Sequence, residues 1–123
     1  MINKKIKQIG QRGEKQAKEF LISNNYKIIE TNFHSPYGEI DIIAEDHDTL
    51  VFIEVKTRSG DLESALNSIS LSKRKKISKT ASYFFSKNHD LEDMFTRFDV
   101  IIILKNKTHS SLKHIKEAFV TTF

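Results

Sequence analysis

Apolar residues recur at helical spacing near the start of the chain. Ile6, Ile9, Gly13, Ala17, Phe20 and Leu21 fall on one face of a helix over residues 6–24. Asn24-Asn25 ends it. The period then shortens. Tyr26 to Phe33 alternates as a strand, and Ser35-Pro36-Tyr37-Gly38 reads as a turn. Glu39–Glu45 and Leu50–Thr57 read as two strands around the polar loop Asp46-His47-Asp48-Thr49. After Gly60 the helical period returns. Leu62, Ala65, Leu66 and Ile69 predict a short helix, and residues 72–87 a longer one with Ile77, Ala81, Phe84 and Phe85 on its apolar face. Arg97–Leu104 holds the run Val100-Ile101-Ile102-Ile103-Leu104, which predicts a strand buried on both faces. Leu112–Phe119 reads as a last strand. The order α-β-β-β-α-α-β-β predicts an α/β fold, a mixed β-sheet of about five strands flanked by helices. Residues 1–123 read as a single domain.

The hairpin pattern also sets a register. A loop at 46–49 pairs Glu45 with Leu50, Ala44 with Val51, Ile42 with Ile53 and Ile40 with Val55. The last three pairs make one apolar face. The other face then holds Ile43 with Phe52, Asp41 with Glu54, and Glu39 with Lys56. A slip of one residue would mix the two faces. Opposed side chains on paired strands stand about 4.5–5.5 Å apart at Cβ, and like charges there are destabilising. Burial beside Ile43 and Phe52 raises that cost. A hard divalent cation such as Mg²⁺ between Asp41 and Glu54, with the carbonyl of Val55 as a third protein ligand, would relieve it. Lys56 lies two residues beyond Glu54 and so shares its face. An ammonium there can stabilise charge developing on phosphorus. An exposed strand face with Phe52, Glu54, Lys56 and Arg58 tied by ordinary surface ion pairs explains the same pattern.

Composition narrows the chemistry. The chain of 123 residues has no cysteine, which removes disulfides and thiolate metal ligands. No apolar run is long enough to span a bilayer, and the basic start Met1-Ile2-Asn3-Lys4-Lys5 lacks the apolar stretch of a secretory signal. A cytoplasmic protein is expected. The formal net charge of +4 favours anionic partners such as nucleic acid, although a solvated basic surface accounts for it equally. The cations cluster at Lys4, Lys5, Lys7, Arg12, Lys15 and Lys18, and again at Lys73, Arg74, Lys75, Lys76 and Lys79. The acids gather around 39–54.

Gly38-Glu39-Ile40-Asp41, followed by Phe52-Ile53-Glu54-Val55-Lys56-Thr57-Arg58, resembles the YraN family of bacterial proteins. That family belongs to the restriction-endonuclease-like superfamily, whose signature is an Asp followed by Glu-x-Lys or Asp-x-Lys. The resemblance runs along nearly the whole chain. It takes in Gly10-x-x-Gly13-Glu14-x-x-Ala17 with Phe20-Leu21, Tyr26 through Asn32-Phe33, Lys73 with Ala81 and Tyr83, Arg97-Phe98-Asp99-Val100, and Ala118-Phe119. Residues 59–66 lack the Phe-Gly pair usual in the family, and Glu117 stands where Asn is common. The resemblance implies a restriction-endonuclease-like core, with Asp41 and Glu54 as ligands of Mg²⁺ or Mn²⁺ and Lys56 as the catalytic lysine. Glu14 matches an acidic residue often placed on the first helix near the metal.

In the second basic cluster, Lys73 and Arg74 fall on the same side as Ile77, Ala81 and Phe84, at the N-terminal end of an inward face, where free N–H groups also attract phosphate. Lys75 and Lys79 point away. Lys73, Arg74 and Lys76 are therefore candidate nucleic-acid contacts. Arg58 can pair with Glu39 or clamp a phosphate. His34, His47, His89, His109 and His114 show no metal-ligand spacing and read as loop or surface residues. Asp99 lies in an apolar strand where Arg97 can satisfy it. The expected function is metal-dependent phosphodiester hydrolysis in nucleic acid, DNA ahead of RNA. The alternative is a non-catalytic nucleic-acid-binding module acting in repair, recombination or uptake. Oligomeric state is open, although cutting two strands would favour a dimer.

Overall fold

The computed structural model describes residues 4–120, with side chains from Lys7 onward. Ile6 and the basic Lys4 and Lys5 therefore lie outside the described side chains. The elements are α1 (Lys4–Ser23), β1 (Lys27–Ser35), β2 (Gly38–Asp46), β3 (Thr49–Arg58), α2 (Leu62–Asn67), α3 (Leu71–Lys87), a 3-10 turn (His89–Leu91), β4 (Phe95–Lys105) and β5 (Ser110–Ile115). The expected α/β order is the observed one. The sheet has five strands in the spatial order β1-β2-β3-β4-β5. Among the described residues only the β3–β4 pair is parallel, with α2 and α3 as its crossover.

The helices cover both faces. Ala17 and Leu21 of α1 pack with Ile42, Ala44, Val51, Ile53, Ile101 and Ile103 on one side of the sheet. On the other side Ala65, Ile77, Ala81 and Phe84 of α2 and α3 pack with Ile43, Leu50, Phe52, Val100 and Ile102. The apolar run of β4 is thus divided residue by residue between two cores. Phe52 centres the second core, with the rings of Phe98, Phe85 and Phe84 at 5.4, 5.7 and 5.9 Å.

Local chemistry sets the boundaries. Asn25 takes φ 68° at the end of α1, the left-handed conformation that Asn tolerates. This lets Tyr26 N donate to Leu21 O at 3.0 Å and Asn25 N to Ile22 O at 3.1 Å, which closes the last carbonyls. Asp61 caps α2 by accepting from Ser64 N at 2.8 Å. Ser70 caps α3 by accepting from Lys73 N at 3.1 Å.

Most expected boundaries shift by a residue or two, and two shifts change a loop or a strand end. The loop at 46–49 tightens to His47-Asp48, because Asp46 and Thr49 still pair. The last strand is Ser110–Ile115 rather than Leu112–Phe119, because after Ile115 the chain turns and Ala118 N donates instead to Phe98 O at 2.9 Å. His114 is also not a surface residue. It sits on β5 with its side chain 9% exposed, and its Nε2 lies 2.7 Å from Asp99 Oδ2.

Asp99 is fully buried and is satisfied as expected, with Arg97 Nε donating at 2.9 Å, and further by Glu117 N at 3.1 Å. Burial works to raise its carboxyl, but His114, Arg97 and the Glu117 N–H outweigh burial and hold it below the ordinary range. Arg97 also reaches Asp46 at 3.2 Å and the Tyr26 hydroxyl at 2.9 Å, tying to β4 both the end of β2 and the connection between α1 and β1.

Gly13 shows how closely α1 lies on the sheet. A Cβ there would overlap the Thr57 hydroxyl of β3. Gly10, one turn earlier, has open space around it. Gly10→Ala is expected to stabilise the fold by about 0.5–1 kcal/mol through helix propensity. Gly13→Ala is expected to destabilise it by about 1–3 kcal/mol through overpacking. Urea unfolding of the two variants measures both signs.

Candidate functional site

The site forms where β2 and β3 part. The observed hairpin register is the expected one from Glu45–Leu50 through Ile42–Ile53, but the ladder ends there. Beyond it, Asp41 Oδ2 accepts from Val55 N at 2.8 Å. A side chain has replaced the strand partner. The alternation of β2 breaks at the same point. Ile40 packs with Ile43 in the α3-side core, while Val55 packs against the α1-side core. The expected apolar pair Ile40–Val55 therefore does not form.

Asp41 and Glu54 correspondingly do not face each other across a regular ladder. Asp41 lines a hollow on the α1 side with Glu14, Lys15 and Asn32. Glu54 lines a hollow on the α3 side with Ser70, Lys73 and Lys76. Asn32 explains part of this turn. It lies across from Asp41, between the pairs Thr31–Ile42 and Phe33–Ile40, with φ 52°. That left-handed residue inside a strand is costly for any residue but Gly, and Asn bears it best.

The parted strands bring three acids from three elements into one electrostatic neighbourhood: Glu14 of α1, Asp41 of β2 and Glu54 of β3. Asp41 and Glu54 are each only 6% exposed. Burial, then the neighbouring Glu54 charge, push the Asp41 carboxyl up to about 7, against the Val55 N–H that favours its charged form. Burial likewise raises Glu14, and Glu39 and Glu54 add to it, while hydrogen bonds from Asn32 and Asp41 work the other way. Carboxylate oxygens are the hard donors that a hard divalent cation takes. Among the described residues no three acidic, His or Cys side chains converge as a ready-made cage. The donors the site offers are Asp41, Glu54 and the backbone at Val55.

Two lysines meet Glu54. Lys56 Nζ lies 3.3 Å from Glu54 Oε1, and Lys73 Nζ lies 2.8 Å from the same oxygen. Lys56 is on the Glu54 face, as strand alternation requires. Burial and the adjoining Lys73 lower its pKa against the pull of Glu54. Burial also works to lower Lys73, but its short contact with Glu54 prevails and raises it.

The remaining basic residues separate. Lys76 lines the Glu54 hollow beside Lys73. Arg74 does not join it. Its guanidinium lies 5.4 Å from the Phe119 ring and lines a different hollow with Leu71 and Val120. A step of one residue turns a helical side chain by about 100°, so Lys73 and Arg74 cannot serve one inward point. Arg58 is exposed and donates back to the Thr57 carbonyl at 2.9 Å. Glu39 instead faces His34 across the β1–β2 pair, at 3.2 Å.

A profile of the uncharacterised protein family UPF0102 matches residues 13–103. The chain belongs to this family, which is the YraN family. A UPF0102 protein of Clostridium tetani is 43% identical over 96% of this chain and 98% of its own length. Relatives from Persephonella marina and Caldicellulosiruptor bescii are 42% and 41% identical over 89% and 93% of this chain, and over 91% and 98% of their own lengths. The matched span takes in Glu14, Asp41, Glu54, Lys56 and Lys73 together. No helix among the described residues is long and apolar enough to cross a membrane.

Sequence reasoning about this UPF0102 chain missed two features of the site. One is Asn32, whose only signal was an Asn in the middle of an alternating strand. The other is the Lys73–Glu54 pair, which joins residues nineteen positions apart and has no local signature.

The raised Asp41 carboxyl has a consequence for stability. Unfolded, an aspartate titrates near about 4, whereas in the fold Asp41 titrates at about 7. Between these values the folded chain holds a proton that the unfolded chain has lost. The contribution of protonated Asp41 is therefore full below about pH 4 and is lost as pH rises through about 7. Asp41→Asn cannot ionise and still accepts from Val55 N. In metal-free buffer it is expected to be more stable than the parent by about 1–3 kcal/mol near pH 8, with the difference vanishing near pH 4. Denaturant unfolding at the two pH values measures it.

Proposed function

We propose that this UPF0102 protein is a metal-dependent phosphodiesterase acting on nucleic acid, DNA ahead of RNA. The observation that carries this reading is the buried Asp41 carboxyl, raised to about 7 beside Glu14 and Glu54, with Glu54 in turn paired to Lys56 and Lys73. An arrangement that costs stability persists where it is part of a mechanism. The resemblance to restriction-endonuclease-like proteins assigns the same residues.

In this reading Asp41 and Glu54, with the Val55 carbonyl, would hold Mg²⁺ or Mn²⁺. Bound there, such an ion would supply Lewis acidity toward a phosphodiester oxygen and lower the pKa of a water. Asp41 is oriented by the Val55 N–H, which donates to its Oδ2. Glu14, held by Asn32, borders Asp41 and can accept a proton from the attacking water. Lys56 sits largely buried beside Glu54, where its ammonium stabilises charge developing on phosphorus. Lys73 and Lys76 stand at the N-terminal end of α3, whose free N–H groups also favour phosphate. Lys73 balances Glu54 until a phosphate competes for it.

A second reading is a nucleic-acid-binding module serving repair, recombination or uptake. The Lys73–Glu54 ion pair favours it, because Glu54 is already neutralised without a cation.

Incubation with plasmid, branched and single-stranded DNA and with RNA, each with Mg²⁺, Mn²⁺ or EDTA, separates the two. Cleavage is expected only with metal. Asp41→Ala and Lys56→Ala are each expected to lower the rate by about 10²–10³-fold. Cleavage that survives both substitutions does not come from this site. Binding without cleavage under every metal condition supports the second reading.

A further inference from the structure

The basic edge of the site continues along α3 into a second surface. Lys76 lines the Glu54 hollow. It also lies under the β1–β2 turn, since a Cβ on Gly38 would meet Lys76 Cβ at 3.6 Å and Thr80 Oγ1 at 3.7 Å. A hydrogen bond of 2.9 Å between the hydroxyls of Ser35 and Thr80 fastens the turn to the helix. Tyr37, at the tip of that turn, is 50% exposed. Lys79 Nζ stands 5.7 Å from the centre of its ring. One turn further along α3, Tyr83 rests against Phe33 at 6.1 Å, and Lys87 Nζ stands 5.4 Å from its ring. Tyr37, Lys79, Ser82 and Tyr83 line a hollow of about 450 Å³.

Neither tyrosine belongs to either core cluster. Pro36 and Gly38 suffice for the turn, and the fold does not need an aromatic ring at its tip. Two tyrosines interleaved with lysines make a surface that offers stacking faces and phosphate-neutralising charge side by side. Unpaired bases satisfy both, because each has a free π-face and a phosphate on either side. A duplex keeps its base faces stacked inside and would use the lysines alone. From Lys73 to Tyr83 the helix rises about 15 Å, enough for a few nucleotides of extended strand.

We propose that a single-stranded segment of nucleic acid leaves the Glu54 hollow along α3, with bases stacked on Tyr37 and Tyr83 and phosphates on Lys76 and Lys79. The proposal rests on the phosphodiesterase reading and names its substrate class, a strand with an unpaired stretch beside the scissile bond.

The test is fluorescence anisotropy in EDTA with the full chain and labelled oligo-dT, oligo-U and a duplex of equal length. Binding is expected to be tighter for single strands than for the duplex. The Tyr37→Ala/Tyr83→Ala double variant should lose about 10–100-fold in single-strand affinity and change duplex affinity by less than about twofold. Tyr37→Phe/Tyr83→Phe should retain the parent's affinity. Lys76→Ala should weaken single strands and duplex alike. The dT and U arms say whether the strand is DNA, RNA or either. Because Tyr37 is exposed, Tyr37→Ala alone keeps the test valid if the double variant unfolds, and an unchanged single-strand affinity in a folded Tyr37→Ala chain overturns the proposal. Equal losses for single strand and duplex in the double variant also overturn it. Metal-dependent cleavage with no role for the tyrosines overturns this proposal and leaves the phosphodiesterase reading standing. A folded chain that binds no nucleic acid overturns both.

Discussion

The hydrogen bond from Val55 N to the Asp41 carboxylate is the contact on which the site depends. A regular hairpin would have carried β2 and β3 on as paired strands and placed two acids on one face. Instead a side chain takes the backbone donor that the ladder leaves unmatched. A buried N–H must find a partner, and this one finds a carboxylate. The strands part, Ile40 joins the α3-side core, and Asp41 turns toward α1. The resulting gap is where Glu14, Asp41 and Glu54 come near one another from separate elements.

Two buried aspartates in the same sheet show what this arrangement means. Asp99 is fully enclosed, yet Arg97, His114 and the Glu117 N–H hold it ionised. With Arg97 and His114 it fastens β4 to β5, and Arg97 carries the satisfied network on to Asp46 and Tyr26. Asp41 is nearly as enclosed, but the charges that weigh most on it are those of Glu54, Glu14 and Glu39, and its carboxyl sits far above the ordinary range. Burial is common to both, so the sign of the neighbouring charge decides the outcome. The first aspartate holds the fold together. The second is a site of stored electrostatic cost, held in place by the two apolar cores on either side of the sheet.

The lysines complete that contrast. Lys56 and Lys73 share one oxygen of Glu54, one from the strand and one from the capped start of α3. Burial, and then the nearness of Lys73, lower the pKa of Lys56, while the shared acid raises that of Lys73 against burial. The site therefore contains its own counter-charge and a cation-rich rim that continues past Lys76 toward Tyr37 and Tyr83. Chemistry and strand-holding surface lie along one helix, because α3 crosses the sheet just above the parting of β2 and β3.

Much of this was legible from the chain. Periodicity was enough for the element order, since helix and strand repeats differ and each segment was long enough to show its own. The hairpin register from Glu45–Leu50 to Ile42–Ile53 was determined by the two-residue alternation, because any slip would bury charge. Asp41, Glu54 and Lys56 followed as candidates from the hairpin pattern, while Glu14 came only with the family resemblance. Three-dimensional packing decided the rest. Alternation has no means of announcing the break at Asp41, which follows from Asn32 on the neighbouring strand and from Val55 N. The separation of Lys73 from Arg74, the burial of His114 and the pairing of Lys73 with Glu54 depend on which face of a helix or strand meets which neighbour. The sequence by itself determined which residues carry charge and how often they recur. Only the tertiary structure decided which of those charges meet, because electrostatic contact is set by distance in space and by exclusion of water, and neither is a property of spacing along the chain.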